Sequence, residues 1–181
     1  STGKNNIAIG NQALCYNTDG VRNIAIGYQS LRKSTKKSEN IAIGTKTLYN
    51  WVGYGREILT NIAIGVGSLY GGTTNSGAPY YTTNYSKFSG NIAIGQQSQS
   101  CNYYGNNNVS LGHNTLSYNL CGRENVAIGS GALYRANGGN NNIAIGTKSI
   151  GYAGPVPVGD FNIAIGYYSF GKTCCGGNHN I

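Results

Sequence analysis

Asn6-Ile7-Ala8-Ile9-Gly10 decides the fold, because the same five residues return at Asn23 to Gly27, Asn40 to Gly44, Asn61 to Gly65, Asn91 to Gly95, Asn142 to Gly146 and Asn162 to Gly166. Two softened copies, Asn108-Val109-Ser110-Leu111-Gly112 and Asn125-Val126-Ala127-Ile128-Gly129, fill the gap, and Asn180-Ile181 begins another. Successive asparagines stand 17, 17, 21, 30, 17, 17, 17, 20 and 18 residues apart. A short element returning at a near-fixed period is the signature of a solenoid, whose units bury their apolar side only by stacking on one another. Residues 1–181 therefore read as a single all-β solenoid domain, expected to be a segment of a longer repeat array.

Within each unit, Ile-Ala-Ile alternates with period two, so a strand would put Ile on one face and Ala on the other. The pattern leaves open which face is interior. Gly then permits a bend or a backbone approach that a Cβ would block. Two variable residues, a small one and an apolar one follow, as in Asn11-Gln12-Ala13-Leu14, Tyr28-Gln29-Ser30-Leu31 and Ser130-Gly131-Ala132-Leu133; only Gln96-Gln97-Ser98-Gln99 breaks the apolar position. This segment reads as a second short strand. Two strands per rung make a parallel β-roll of two small sheets, and nine rungs at about 4.8 Å give a rod on the order of 40 Å long. The Asn column is expected to bond amide to amide from rung to rung. One thin apolar stripe buries little, so self-association is expected to complete the core.

The unit Asn-Ile-Ala-Ile-Gly-x-x-Ser-Leu resembles the head repeats of trimeric autotransporter adhesins and the similar repeats of phage and giant-virus tail or surface fibres. The resemblance covers essentially the whole chain. It implies a left-handed, trimeric β-roll displayed outside the cell or on a virion and used for attachment. Rungs here are longer than the short repeats of the bacterial heads, and cysteines are unusual in those heads, which favours a viral or other fibre of non-autotransporter origin.

Composition bounds the alternatives. With 29 glycines and no methionine in 181 residues, a thick core is not expected. A chain opening on Ser1 without Met is expected to be a processed product or a fragment. No apolar run approaches the roughly 18 residues of a membrane span. Thirteen basic against five acidic residues give a net charge of +8, which suits an anionic partner such as an acidic glycan. Arg32, Lys33, Lys36 and Lys37 form the candidate anionic-partner patch. Nucleic acid is not expected, because these cations sit in one turn and the aromatic loops lie elsewhere.

Insertions near residues 49–60, 70–90 and 151–161 lengthen three rungs. Loops on a rigid scaffold commonly carry recognition. The first holds Trp51, Tyr54 and Arg56. The second holds Tyr80, Tyr81, Tyr85 and Phe88 among Thr and Asn, a mixture of flat amphipathic rings and adaptable hydrogen-bonding groups. Trp51, Tyr54, Tyr80, Tyr81, Tyr85 and Phe88 are the candidate receptor or glycan contacts, weighed against the alternative that the rings fold back over the roll. Gly154-Pro-Val-Pro-Val-Gly159, in the third, reads as a rigid exposed turn. Tyr16, Tyr49, Tyr70, Tyr118 and Tyr134 fall five or six residues after a motif glycine and suggest a stacked column.

No motif for catalysis, metal or cofactor emerges. His113 and His179 lack a neighbouring nucleophile and acid, the acidic residues are scattered, and no calcium repeat or phosphate loop occurs. Hexapeptide acyltransferases need three successive aliphatic corners, but counting six and twelve from Ile26 gives Arg32 and Ser38. Among five cysteines, Cys101 and Cys121 on successive repeats could bridge rungs, and the adjacent Cys174 and Cys175 could link chains. Asn84-Tyr85-Ser86 and Asn108-Val109-Ser110 match the glycosylation pattern. The expected function is a non-enzymatic extracellular fibre that presents loops to a cell-surface receptor or glycan; the alternative is a self-polymerising structural filament without a ligand.

Overall fold

A computed structural model describes residues 2–50, 60–71, 88–135, 137–151 and 158–170. Each motif forms one three-residue strand: β1 (Ile7–Ile9), β2 (Ile24–Ile26), β3 (Ile41–Ile43), β4 (Ile62–Ile64), β5 (Ile92–Ile94), β6 (Val109–Leu111), β7 (Val126–Ile128), β8 (Ile143–Ile145) and β9 (Ile163–Ile165). The nine strands pair in chain order into one parallel sheet, the wall of a β-solenoid. Register is residue for residue, Ile7 on Ile24, Ala8 on Ala25 and Ile9 on Ile26, and so along the rod. It survives the insertions: β3 meets β4, β4 meets β5 and β8 meets β9 in the same alignment. The insertions therefore leave the strand register unshifted.

Two corners limit the strand to three residues. The residue before eight of the nine motif asparagines has a left-handed φ, as in Arg22 (56°), Glu39 (63°) and Gly90 (68°), and the motif glycine closes the strand at φ between 118° and 137°. That glycine is also demanded by space. A Cβ on Gly27 would stand 2.5 Å from the Gly44 carbonyl oxygen, well inside van der Waals contact.

The expected second strand does not form, and this corrects the two-strand rung. Gln12 and Leu14, Gln29 and Leu31, Lys46 and Leu48 all have positive φ, near 50–58°. Left-handed backbone at alternate residues cannot extend, so this wall is a run of turns. It is still bonded rung to rung, Leu14 N–H to Ser30 O at 3.0 Å and Leu31 N–H to Thr47 O at 2.9 Å. A left-handed Leu costs about 1 kcal/mol or somewhat more. Burying the Leu side chain returns about 1.5–3 kcal/mol, so the conformation holds.

The interior is now assigned. Ala25, Ala42, Ala63, Ala93, Ala127 and Ala144 are fully buried, facing Leu31, Leu48, Leu69, Leu116 and Leu133 across the lumen. Where a small polar residue precedes the Leu, it bonds the next rung's strand or motif glycine: Ser30 Oγ donates to Ala42 O at 2.9 Å, Ser68 Oγ to Ala93 O at 2.8 Å, and Thr115 Oγ1 to Gly129 O at 3.0 Å. The outer Ile pair of each strand stays outside.

Candidate functional site

Asparagine side chains form the spine that fixes both outer faces. Asn40 Nδ2 donates to Asn23 Oδ1 at 3.0 Å, Asn125 to Asn108 at 3.0 Å and Asn142 to Asn125 at 3.1 Å. Several of these amide nitrogens also reach a backbone carbonyl at the corner that leads into the next motif, as Asn108 Nδ2 does at Gly122 O, 2.9 Å away. The expected amide ladder is therefore present, and it is buried. Asn108 is completely enclosed, which removes it as a glycosylation acceptor in the folded rod. A second asparagine series escaped the sequence reading. Asn17, Asn102 and Asn119 each clasp a glycine three residues on, accepting from its N–H and donating to its carbonyl. The signal was Asn-x-x-Gly at a constant offset from the motif.

On the sheet's outer face, the first and third residues of every strand make two parallel aliphatic columns. Ile7 and Ile9 are 50% and 58% exposed, Leu111 45% and Ile165 68%, and the columns between them are partly exposed. This is the broadest apolar feature among the described residues.

The basic residues of the candidate patch point different ways. Arg32 lies between two tyrosines, its guanidinium 5.0 Å from the Tyr16 ring centre and 5.8 Å from that of Tyr49, bonding both hydroxyls. Lys33 sits 5.2 Å over the Tyr49 ring. Lys36 is exposed and 4.0 Å from the Asp19 carboxylate. Lys37 is buried at the corner whose carbonyl receives Asn23 Nδ2, so it is withdrawn from the patch. The reason is register: Lys37 occupies the position held in other rungs by Gly20 and Gly105, against the ladder.

Phe88 occupies the same corner position, its carbonyl receiving Asn61 Nδ2, and is likewise fully buried in the first core cluster. It is a core residue, not a receptor contact. Trp51, Tyr54, Tyr80, Tyr81 and Tyr85 lie outside the described residues, as do Arg56, Asn84, His179, Cys174 and Cys175.

The periodic tyrosines occupy two adjacent columns rather than one. Tyr49 stacks on Tyr70 at 5.2 Å with an 11° tilt, Tyr118 meets Tyr134 edge-on at 5.3 Å, and Arg135 covers both of the latter. Burial pushes the Tyr70 and Tyr134 phenols up from their usual pKa, with the neighbouring tyrosine adding to the shift.

Cys101 and Cys121 do not bridge; with Cys15 they are free thiols. Cys101 N–H bonds Ser117 O, whereas Tyr104 N–H bonds Leu120 O, so Cys121 stacks on the Tyr104 position, three residues round the rung from Cys101. Burial raises the Cys101 pKa, keeping that thiol protonated near neutrality.

His113 is exposed, with Asn114 Nδ2 3.2 Å from its ring nitrogen. Among the described residues no group of three or more His, Cys, Asp or Glu could hold a metal, and no helix is long and apolar enough to cross a membrane. No protein-family model, curated protein or solved structure matches this chain.

Proposed function

We propose that the chain is the shaft and head of an extracellular fibre, in which three copies pack their isoleucine columns together and attachment is made by side chains turned away from that axis. The outward isoleucine face carries this reading. The lumen is already filled by Ala and Leu, so the paired Ile columns are spare apolar surface running along all nine strands. Continuous exposed apolar patches of this kind mark interfaces, and a straight, regular stripe on every copy suits a parallel self-assembly. The repeat's resemblance to trimeric adhesin and fibre heads supports three copies, left-handed coiling and display on a cell surface or virion.

Attachment by the insertion loops is tested with the Tyr80→Ala, Tyr81→Ala, Tyr85→Ala triple variant. Cell-surface or glycan-array binding is expected to fall while particle mass stays unchanged; full binding by the variant would reject the loop assignment. A structural filament is the second reading, favoured by the all-parallel, residue-for-residue register, which a further copy could continue by strand pairing. Negative-stain images separate the two: discrete short rods support the fibre segment, and long unbranched threads support the filament.

A further inference from the structure

The wall after the motif glycine carries two surface-facing residues per rung, and the second forms a column of long side chains. Gln12, Gln29, Lys46, Gln97, Asn114 and Lys148 occupy it with φ near 53–58°. Gly67 and Gly131 interrupt it. Their backbone, at φ 64° and 66°, is the one their neighbours adopt with side chains. Space does not demand glycine either. A Cβ on Gly131 would meet Lys148 Cγ at 3.4 Å and one on Gly67 would meet Gln97 Cγ at 3.8 Å, whereas the motif glycines Gly65 and Gly129 face backbone at 2.6 Å. Both missing side chains open hollows.

The hollow over Gly131 has a volume of about 490 Å³, and the one over Gly67 about 410 Å³. Asn114 and Tyr134 line both, so the two hollows adjoin and follow one another along the rod as a groove. From Lys46 to Lys148 it crosses five rung spacings, about 24 Å at 4.8 Å per rung. Tyrosines wall it: Tyr70 and Tyr118 beside Gly67, Tyr134 and Tyr168 beside Gly131. Lys46 and Lys148 stand at its two ends, both exposed, and Lys148 Nζ lies 5.3 Å over the Tyr168 ring. Among the described residues no Asp or Glu lines either hollow.

We propose that this groove binds a linear, carboxylated oligosaccharide laid along the rod axis. Tyrosine faces accept the C–H faces of sugar rings, Asn114 and Gln97 offer amides to hydroxyls, and the lysines supply charge for carboxylates. The proposal builds on the attachment reading but places a site on the rungs, independent of the insertion loops. The test is calorimetric titration of the full chain with hexasaccharides of polygalacturonate and of hyaluronan, against neutral chitohexaose and poly-glutamate. An acidic hexasaccharide is expected to bind about tenfold more tightly than the neutral one. The double variant Gly67→Gln, Gly131→Gln restores the side chain used by neighbouring rungs; at φ 64° and 66° it should lower the melting temperature modestly, leave the rod folded, and lose about tenfold in affinity. Lys46→Gln combined with Lys148→Gln should abolish the acidic-over-neutral preference.

Unchanged affinity in the filled groove, no binding of either acidic hexasaccharide, or tighter binding of poly-glutamate would overturn the proposal. If no hexasaccharide binds but the chain still adheres to cells, the groove falls and the attachment reading stands. If the groove binds while cell adhesion is absent, the attachment reading falls alone.

Discussion

Asn125 shows how much of this rod rests on single side chains. Its amide donates to Asn108 Oδ1 and to Gly139 O, and its oxygen accepts from the Asn142 backbone and side chain. Asn125→Ala would leave the Asn142 donors and a corner carbonyl buried without partners. At about 1–3 kcal/mol for a buried orphan, the loss should be about 3 kcal/mol or more, read as a lower denaturant midpoint. Glycine pairs make a sharper contrast. Gly129→Ala forces a Cβ to within 2.6 Å of the next rung's backbone at φ 118°, while Gly131→Ala meets nothing nearer than 3.4 Å. The first should destabilise severely and the second cost only its left-handed strain, about 1 kcal/mol; equal effects would mean the stacking of rungs is looser than described. The ladder was legible in the sequence because an invariant Asn before a strand has few other uses. Lys37 and Phe88 were misread for the opposite reason. Each sits in a segment with surface composition, and only the rung register reveals that its position is an interior corner.

At the scale of the rung, the fifth and sixth units carry a polar substitution in the lumen that neighbouring units lack. Gln99 replaces the usual Leu and Ser110 the usual Ala. Gln99 Nε2 donates to Ser110 Oγ at 2.8 Å and to Ile92 O at 3.2 Å, and its carbonyl accepts from Asn102 at 3.1 Å. The pair divides the apolar lumen into two clusters, one ending at Ala93 and one beginning at Leu116. Gln99→Leu alone should cost about 1 kcal/mol through lost partners, and Ser110→Ala alone a similar amount. The double variant should recover the loss, a coupling of about 1 kcal/mol or more in a double-mutant cycle; strict additivity would show that the two side chains are not a unit. The sequence exposed Gln99 as an irregularity but not its partner, because Ser110 reads as an ordinary softening of the strand. The second strand of each rung was likewise overread. Apolar and small residues there alternate as in a strand, yet the alternation of left-handed φ that turns the segment is a product of stacking, not of local propensity.

For the whole molecule, repeat, register and all-parallel order were visible in the spacing of nine motifs, while the inward face was not, since Ile and Ala alternate symmetrically about the strand. The structure puts Ala inside. In the proposed trimer the larger side chains make the intermolecular contact, each half-exposed Ile contributing about 1 kcal/mol when covered. Ile43→Glu combined with Ile94→Glu should therefore leave the strand signal in circular dichroism intact and dissociate the assembly, because both residues point away from the lumen; loss of folding instead would mean that the Ile columns belong to the monomer core. The most direct measurement is the mass of the native particle by light scattering, with and without reductant. Three times the 19.0 kDa chain mass in both conditions is the predicted result, and a stable particle of a single chain mass would contradict it.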